Sequence, residues 1–509
     1  MPKRILFVAD QPFEINFFIE VASLLSSDYS CALAIVDFFT FNYGPDVIKK
    51  AKRFFPSGVY DLEAEYRSWQ IPKHKISDQR WRVSKKAIDE FSLRLIGQRD
   101  IETILRTDAY TNNFEFASWQ KRVPKKLVDI SHADSIQWAL NVVNEVQPDL
   151  ICGVSNTLLP SSLIFEISLM KRVPHFLFSH TRIGSRWVKR IDFSYGMNPT
   201  LRKEIIDSNP PETAIKFAED FKCSINSTDS LIYPHIVSTA KLYLQSIFES
   251  SLYRNVPRLI RNIFSWLYPA LRSVLLGPRT RKFRTRYFDQ SFIRLHIFEL
   301  KRIIRPFFAS KFFENKDYEG IRFFLWPLHY RPEGVVLVQG NGLDEIKLIS
   351  QVAKMLPENT RLFVKENPLM VGIRSLSVYK DLERMEGVTL VSPISDSIEL
   401  IKHSIAVIGL TGTALLEGQL VGKPSWALGS PEFLPVVHGT GLDDIQDFML
   451  KANQGQLEAN TDVLIKYIAW IFQNSNAEDH LIWASFDIAD LRKDIERISM
   501  TIRGYLENI

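Results

Sequence analysis

The chain has little cysteine and no long apolar run. Among its 509 residues are three cysteines, whose spacing matches neither a zinc-ligand pattern nor Cys-x-x-Cys. The apolar stretch 5–9 ends at Asp10, which makes it far too short for the core of a secretory signal. No uninterrupted apolar stretch approaches the roughly 20 residues of a spanning helix. These absences predict a cytoplasmic protein without a structural metal, in which Cys31 and Cys152 are buried thiols of strand-like segments.

Two nucleotide-binding fingerprints are also missing. Neither Gly-x-Gly-x-x-Gly after the first strand nor a Gly-rich P-loop ending in Gly-Lys-Ser/Thr occurs. A dinucleotide-dependent oxidoreductase and an NTPase are therefore both disfavoured. No Asp-x-Asp motif stands at a convincing strand end, so we expect neither a catalytic metal nor a bound cofactor.

Positive charge is concentrated in one segment. The net charge is only +5, yet residues 254–316 hold 15 Lys and Arg against three acidic residues, so the rest of the chain is net acidic. We interpret this segment as a contact for an anionic membrane surface. A solvated or internally paired Arg-rich helix face is the alternative. No nucleic-acid-binding motif accompanies the segment, so nucleic acid is not an expected partner.

The first lobe has the order of a parallel α/β sheet. Strand, helix and strand open the chain, and the same alternation resumes further on, which predicts βαβ units. The pattern between about 56 and 123 is irregular, with one helical run near 85–105, and is interpreted as an insertion. The predicted strands of this lobe are 4–9, 31–37, 149–154 and 175–178, and the predicted helices include 135–146 and 161–170.

The last third alternates more regularly, after a helical segment in which apolar residues recur at helical spacing with arginines between them. Its pattern predicts a second doubly wound sheet. The predicted strands are 335–339, 361–365, 388–391, 405–408 and 425–428, and the predicted helices are 343–355, 376–382, 398–403 and 413–421. The fold class is therefore α/β, with two Rossmann-like lobes and a basic helical insert between them. The predicted domains are 1–233, 234–320 (the insert), 321–450 and a helical tail, 451–509.

Several polar residues follow strands of the second lobe. Thr411-Gly412-Thr413 precedes a helix and is suited to phosphate, through backbone N–H groups, two hydroxyls and a glycine that permits close approach; a simple helix cap is an equal alternative. Lys365 and Asn367 could bind phosphate or ribose, with Pro368 fixing the turn, although a solvated strand end is the commoner role. Glu417 could accept from a ribose hydroxyl, or could face solvent.

The order of these motifs resembles the bacterial capsule polysaccharide biosynthesis family, which includes Kdo transferases of capsule and O-antigen assembly. The resemblance covers roughly 323–429. The segments that carry it read FFLWPLHYRPEG, KENP, SPISDS and TGTALLEGQLVGKP. It implies a GT-B-like glycosyltransferase whose C-terminal lobe binds the nucleotide-sugar donor, commonly CMP-linked Kdo, and whose N-terminal lobe binds the acceptor.

The resemblance also implies roles for single residues. The family's His-Pro pair contacts the nucleotide phosphate, and Asn367-Pro368 occupies that place here. Asn keeps a donor but has no cationic form. By the same resemblance Thr411 and Thr413 would hold the phosphate. Glu333 and Glu417 would line the nucleotide site. The residues themselves add three members to the predicted donor site: His329, Lys365 and Gly412.

The chemistry at the anomeric carbon must then come from the N-terminal lobe. Such transfer needs a general base, or a carboxylate nucleophile with a helper. The candidates are His180 and Arg182 after one strand, and Asp10 and Glu14 after the first. A packed loop histidine and carboxylates that cap the next helix are the structural alternatives.

We therefore predict a glycosyltransferase of capsule or O-antigen synthesis that is either free in the cytoplasm or peripheral at the inner face of the cytoplasmic membrane. It would transfer Kdo or a related nonulosonic acid from a CMP-activated donor to a glycan or lipid-linked acceptor. A glycerophosphate-type transferase with a CDP-linked donor is one alternative. A non-catalytic polysaccharide-assembly protein is the other.

Overall fold

The computed structural model describes most of the chain, and it shows two parallel sheets flanked by helices. The described residues are 2–10, 12–36, 45–62, 77–95, 100–106, 125–154, 158–183, 186–190, 199–225, 234–248, 256–257, 259–267, 271, 284–285, 288–289, 292–313, 318, 320–330, 339–340, 343–477 and 491–509.

Seven strands form the N-terminal sheet, in the order β14-β6-β5-β4-β1-β2-β3. Strands β1 to β5 are parallel, whereas β6 and β14 join antiparallel at one edge. Their bounds are β1 Arg4–Ala9, β2 Ser30–Ile35, β3 Val59–Asp61, β4 Leu150–Gly153, β5 His175–His180, β6 Arg186–Arg190 and β14 Asn476–Ala477. The strand order reverses between β1 and β4, which makes this pair the topological switch point of the lobe.

The central strand β1 is apolar and buried from Ile5 to Ala9 because helices cover both faces of the sheet. Phe7 belongs to the core on one face, and Leu6 and Val8 to the core on the other. The prediction that Cys31 and Cys152 are buried thiols is confirmed. Burial raises the pKa of Cys31 to about 12, so this thiol is unreactive.

The described residues up to 225 contain eight helices, and the apolar residues of the last two belong to a core shared with the C-terminal lobe. They are α1 Pro12–Leu25, α2 Pro45–Phe54, α3 Asp78–Ser92, α4 Ile101–Arg106, α5 Lys125–Val146, α6 Leu159–Lys171, α7 Pro199–Ile206 and α8 Glu212–Ile225. The predicted insertion at about 56–123 differs from the structure in two ways. Its start contributes β3 to the sheet, paired with β2, and the predicted helical run 85–105 is divided into α3 and α4.

Five parallel strands form the C-terminal sheet, in the order β11-β10-β9-β12-β13. Their bounds are β9 Phe323–Pro327, β10 Arg361–Lys365, β11 Val388–Val391, β12 Val407–Gly409 and β13 Ser425–Ala427. The switch point lies between β9 and β12. The predicted first strand, 335–339, falls mostly outside the described residues, and Gln339 belongs to no strand. β9 is not among the predicted strands. The fold class of two Rossmann-like lobes is confirmed by the two sheets.

The helices of this lobe are short. They are α11 Glu345–Ala353, α12 Leu376–Glu383, α13 Ser397–His403, α14 Ala414–Leu420 and α15 Ile445–Asn453. The described part of the insert contains α9 Pro234–Phe248, a helical stretch at 259–267, the two-stranded pair β7 Arg284–Thr285 and β8 Phe288–Asp289, and α10 Phe292–Ala309.

The end of the chain returns to the N-terminal lobe. Helix α16 (Thr461–Asn474) packs on α8, β14 pairs with β6, and α17 (Arg492–Glu507) packs on α1. Arg186 of β6 holds the segment between α16 and β14 against the N-terminal sheet. Its guanidinium donates to Ser475 Oγ at 2.6 Å and stacks 4.8 Å from the ring centroid of Phe472. One apolar core includes residues of both lobes, so the lobes are joined by more than their linker.

Candidate functional site

The candidate residues gather at the carboxyl ends of the strands nearest each switch point. In open parallel sheets ligands bind in the crevice at this place, because the loops on either side of the reversal diverge. In the C-terminal lobe His329 follows β9 and Thr411 follows β12. In the N-terminal lobe Asp10 follows β1.

His329 is held in one orientation by Glu345, the first residue of α11. Both side chains are buried, and His329 Nδ1 lies 2.6 Å from Glu345 Oε1. Trp326 donates its indole N–H to the same oxygen at 3.3 Å. Because a carboxylate only accepts hydrogen bonds, Nδ1 carries the proton, and Nε2 is left facing the other side of the crevice.

Across the switch point, Nε2 of His329 meets the loop after β12. The backbone N–H of Thr411 donates to this nitrogen at 3.3 Å, and Thr411 Oγ1 lies 3.5 Å from it. A Cβ at Gly412 would stand only 3.1 Å from the same atom. The absence of a side chain at Gly412 therefore keeps the space beside His329 open.

Helix α14 begins just after this loop and has seven residues. Thr413 Oγ1 donates to Glu417 Oε1 at 3.5 Å, and both residues are buried. Since so short a helix has a small dipole, affinity for an anion would depend on His329 and the two threonine side chains rather than on the helix terminus. The sequence-based expectation gave the terminus more weight.

The strand end of β10 is tied to the same crevice. Lys365 is buried and donates to the carbonyl oxygen of Pro393 at 3.2 Å. Burial, followed by the charge of Lys241, lowers the pKa of Lys365 to about 8, while the charges of Asp396, Glu366 and Glu417 oppose that shift.

Glu366 and Arg374 form a buried ion pair beside this lysine. Arg374 Nε donates to Glu366 Oε2 at 2.5 Å, and the guanidinium also donates to the carbonyl oxygen of His329 at 2.9 Å. Asn367 accepts from the backbone N–H of Leu369 at 3.0 Å through Oδ1, which starts the short turn Pro368–Met370. In these contacts Asn367 shapes the loop; its role toward phosphate stays a prediction.

The crevice of the N-terminal lobe is built from carboxylates. Asp10 Oδ2 accepts from Ser161 Oγ at 3.0 Å and from the backbone N–H of Leu158 at 3.3 Å, and both donors belong to the start of α6. Glu14 Oε2 accepts from the backbone N–H of Asp10 at 2.6 Å. Asp10 therefore caps the helix that follows β4 across the switch point, rather than the next helix along the chain.

The other two N-terminal candidates lie after β5. His180 is the last residue of β5, and its side chain lies outside the described part of the chain. Arg182 forms an ion pair with Glu432, whose loop follows β13, with Nε and Oε1 3.6 Å apart. This contact joins the carboxyl edge of one sheet to that of the other, so the two edges face each other.

The structure thus brings together His329, Thr411, Gly412, Thr413 and Glu417, with β10 supplying Lys365, Asn367 and Pro368 beside them. Glu333 lies outside the described residues. Sequence reasoning missed Glu345 and Arg374. An acidic residue in a first helical turn is common, and nothing in the local sequence signals that Glu345 reaches His329. The expectation that no metal or cofactor is needed stays a prediction.

No protein-family model and no curated protein matches this chain. Among solved structures, the UDP-GlcNAc 2-epimerase of Neisseria meningitidis bound to UDP-GlcNAc is 12% identical, with 92% of this chain and 98% of that chain covered and a TM-score of 0.26. The S. aureus MnaA–UDP complex is 11% identical, with 100% and 98% covered and a TM-score of 0.26. A glycosyltransferase of Rickettsia africae is 11% identical, with 98% of each chain covered and a TM-score of 0.24. Likeness of this size carries no argument, and the fold class rests on the two sheets of this chain.

Proposed function

We propose that the protein is a nucleotide-sugar-dependent glycosyltransferase of bacterial surface polysaccharide synthesis, active in the cytoplasm. The donor would lie at the C-terminal switch point and the acceptor in the crevice of the N-terminal lobe. For the donor we propose a CMP-activated Kdo or related nonulosonic acid, in keeping with the family that the sequence resembles. The acceptor would be a glycan or lipid-linked glycan.

One observation carries the proposal. The imidazole of His329 and the Thr411–Thr413 loop converge from two strands on one crevice, with 3.3 Å between Thr411 N and His329 Nε2. The backbone N–H and the hydroxyls of the loop can donate to a phosphate oxygen, and the imidazole can do so through Nε2 in its doubly protonated form. Gly412 adds no bulk there. A nucleotide phosphate is the ligand class that best suits this set.

The opposed N-terminal crevice supplies the groups that the transfer step needs. Asp10 and Glu14 are buried at the end of β1, and the Arg182–Glu432 pair places the two sheet edges opposite each other. A carboxylate there can take the proton of an acceptor hydroxyl as the bond from the anomeric carbon to the nucleotide breaks. The N-terminal lobe then supplies the chemistry and the C-terminal lobe the donor.

The test is a calorimetric or thermal-shift screen of the purified protein against CMP, CDP, UDP and GDP. A ligand that binds only the folded state raises its apparent stability. We expect CMP to give the largest shift, and Thr413→Ala to abolish it. Lys402→Ala, at an exposed residue of α13, is the matched control and should respond as the wild type does. A selective response to UDP or GDP would keep the transferase and discard the CMP donor.

The two rival functions give different results. A glycerophosphate-type transferase would respond to CDP and form a phosphodiester product rather than a glycoside, which mass spectrometry of the product distinguishes. A non-catalytic assembly protein would bind no nucleotide productively. It would also retain polymer synthesis in cells that carry Asp10→Ala or His180→Ala at normal protein levels.

A further inference from the structure

Exposed apolar side chains are concentrated in the insert. The described residues include fifteen large apolar side chains that are exposed, and eight of these lie within 234–320. The eight are Leu242, Tyr243, Val256, Ile260, Phe264, Leu271, Ile297 and Phe308. Single exposed apolar residues are normal on a protein, but a concentration of them in one segment marks a contact.

Three of them form a stripe on one helix face. Val256, Ile260 and Phe264 follow one another at four-residue intervals and are 42%, 48% and 65% exposed. Residues three or four apart on a helix lie on the same side, so these side chains point in one direction. Arg261 is exposed beside them.

Helix α10 repeats the arrangement. Ile297 and Phe308 are exposed and stand three turns apart on one face, and Lys301 and Arg302 are exposed between them. Phe298 and Phe307, which lie on either side of this face, are buried. Each helix therefore presents apolar side chains and cations together, which is the composition of helices that lie in a membrane interface.

We propose that these two helix faces bind an anionic lipid bilayer; together they are called here the insert surface and comprise the exposed residues Val256, Ile260, Arg261, Phe264, Ile297, Lys301 and Phe308. Charge decides for this partner, because residues 254–316 hold 15 Lys and Arg against three acidic residues. Anionic headgroups attract such a segment, while the apolar side chains enter the boundary of the acyl chains. No helix in the described part of the chain is long and apolar enough to cross a membrane, so the contact is peripheral.

The insert is attached to the loop that follows β10. Helix α9 packs on the turn Pro368–Met370. Arg305 of α10 donates to the carbonyl oxygen of Ile373 at 2.5 Å, and a side chain at Gly372, whose φ is +96°, would collide with the carbonyl oxygen of Arg302. Binding of the insert surface thus brings the candidate donor crevice close to the bilayer. The inference does not depend on the transferase proposal.

The test is flotation of the purified full-length protein with vesicles of phosphatidylcholine alone, or with about 30 mol% phosphatidylglycerol. We expect binding only to the anionic vesicles, and a loss of binding when salt rises from roughly 0.1 M to 0.5 M, because screening shortens the reach of surface charges. Binding to neither vesicle, or equal binding to both, would overturn the proposal.

Two double variants distinguish binding through the stripe from non-specific hydrophobic binding. Ile260→Ser with Phe264→Ser should raise the lipid concentration for half-binding about tenfold or more. Leu450→Ser with Met500→Ser removes side chains that are 43% and 65% exposed elsewhere, and should change it less than about twofold. Equal binding by the two double variants would contradict the stripe.

Electrostatics are tested by Arg261→Gln with Lys301→Gln, which leaves every apolar contact in place. This variant should bind anionic vesicles several-fold more weakly and should show a smaller salt dependence. Analytical sedimentation without lipid tests whether a second copy of the protein, rather than lipid, covers the stripe. If the wild type forms a dimer that the Ile260→Ser, Phe264→Ser variant does not form, the stripe is a contact between two copies, and the lipid proposal is wrong.

Discussion

The two lobes share a topology but differ in what stands at the switch point. Both sheets have five parallel strands in the same order, with the reversal between the first and fourth strand of the lobe. In the N-terminal lobe this reversal is occupied by Asp10 and Glu14. In the C-terminal lobe it is occupied by His329 and the Thr411–Thr413 loop. The same backbone site therefore suits opposite chemistries.

The difference extends to how carboxylates are used. The C-terminal crevice also contains acids, but each is engaged: Glu345 by His329, Glu366 by Arg374 and Glu417 by Thr413. In the contacts described above, Asp10 and Glu14 accept from backbone N–H groups and a serine hydroxyl. The two switch points thus differ in their side chains and not in their topology.

The largest expected effect tests whether the acids of the C-terminal crevice are neutralised. Arg374→Ala leaves Glu366 as a buried, uncompensated charge, and should lower the free energy of unfolding by about 3–5 kcal/mol. Urea denaturation measures it. Adding Glu366→Gln should recover much of the loss, because the buried charge is then removed.

The matched control is Lys402→Ala, which breaks the exposed Lys402–Glu399 pair, 2.8 Å apart. It should cost no more than about 1 kcal/mol. If both single variants have equally small effects, the buried pair is not compensating a charge, and the contrast between the lobes loses this support.

The second prediction tests the N-terminal crevice. Asp10→Asn keeps an acceptor for Leu158 and Ser161 but removes the charge, so folding and nucleotide binding should persist while turnover falls about 100-fold or more. Glu20→Gln, at an exposed position on α1, should leave turnover unchanged. Loss of nucleotide binding in Asp10→Asn would mean that the two crevices are not divided by role.

The third prediction tests the space beside His329. Gly412→Ala places a methyl group about 3.1 Å from Nε2, and should weaken nucleotide binding about tenfold, or about 1.4 kcal/mol, because phosphate and methyl compete for that space. Gly504→Ala on α17, where a Cβ meets nothing within 4 Å, is the control for the substitution itself. Titration calorimetry measures the nucleotide affinity of both variants. Equal affinities would show that the phosphate does not bind beside Gly412.

The last prediction is an effect of pH and concerns Lys365. Its pKa in the folded protein is about 8, against 10.5 for the free side chain, so the unfolded chain binds more protons between these values. The free energy of unfolding should therefore rise with pH from about 8 to 10.5, by at most about 1.4 kcal/mol per pH unit. Below pH 8 the free-energy cost of burying the charged Lys365 is fully present. Lys365→Met should remove the rise of the unfolding free energy with pH. If the variant shows the same rise as the wild type, other groups cause it.

Most of the regular elements could be predicted, because helices and strands with one buried face carry a periodic pattern. The bounds of β10 and β11 match the predicted strands, and those of α12 and α13 lie within one residue of the prediction. The prediction did not include β9, whose run 323–327 is short and apolar. So short a run shows too little periodicity to be assigned from the local pattern. The predicted strand 335–339 lies mostly outside the described residues.

The candidate site was predictable by residue but not by contact. Strand ends marked Thr411, Lys365 and Asp10, since the carboxyl ends of parallel strands share one edge. The partners of these residues depend on packing between elements distant in sequence. Glu345 reaches His329 only because α11 begins beneath the end of β9, and Arg182 meets Glu432 only because the lobes face each other.

The return of the chain end to the first lobe has a consequence for biosynthesis. β14 completes the edge of the N-terminal sheet, and Ile495, Ile498 and Ile502 of α17 cover the apolar face of that lobe. At elongation rates of about 5–20 residues per second, the first strand is synthesised on the order of half a minute or more before these segments. During that interval an unpaired edge and an uncovered apolar face are accessible to chaperones. The N-terminal lobe therefore reaches its native form only after α17 has been synthesised.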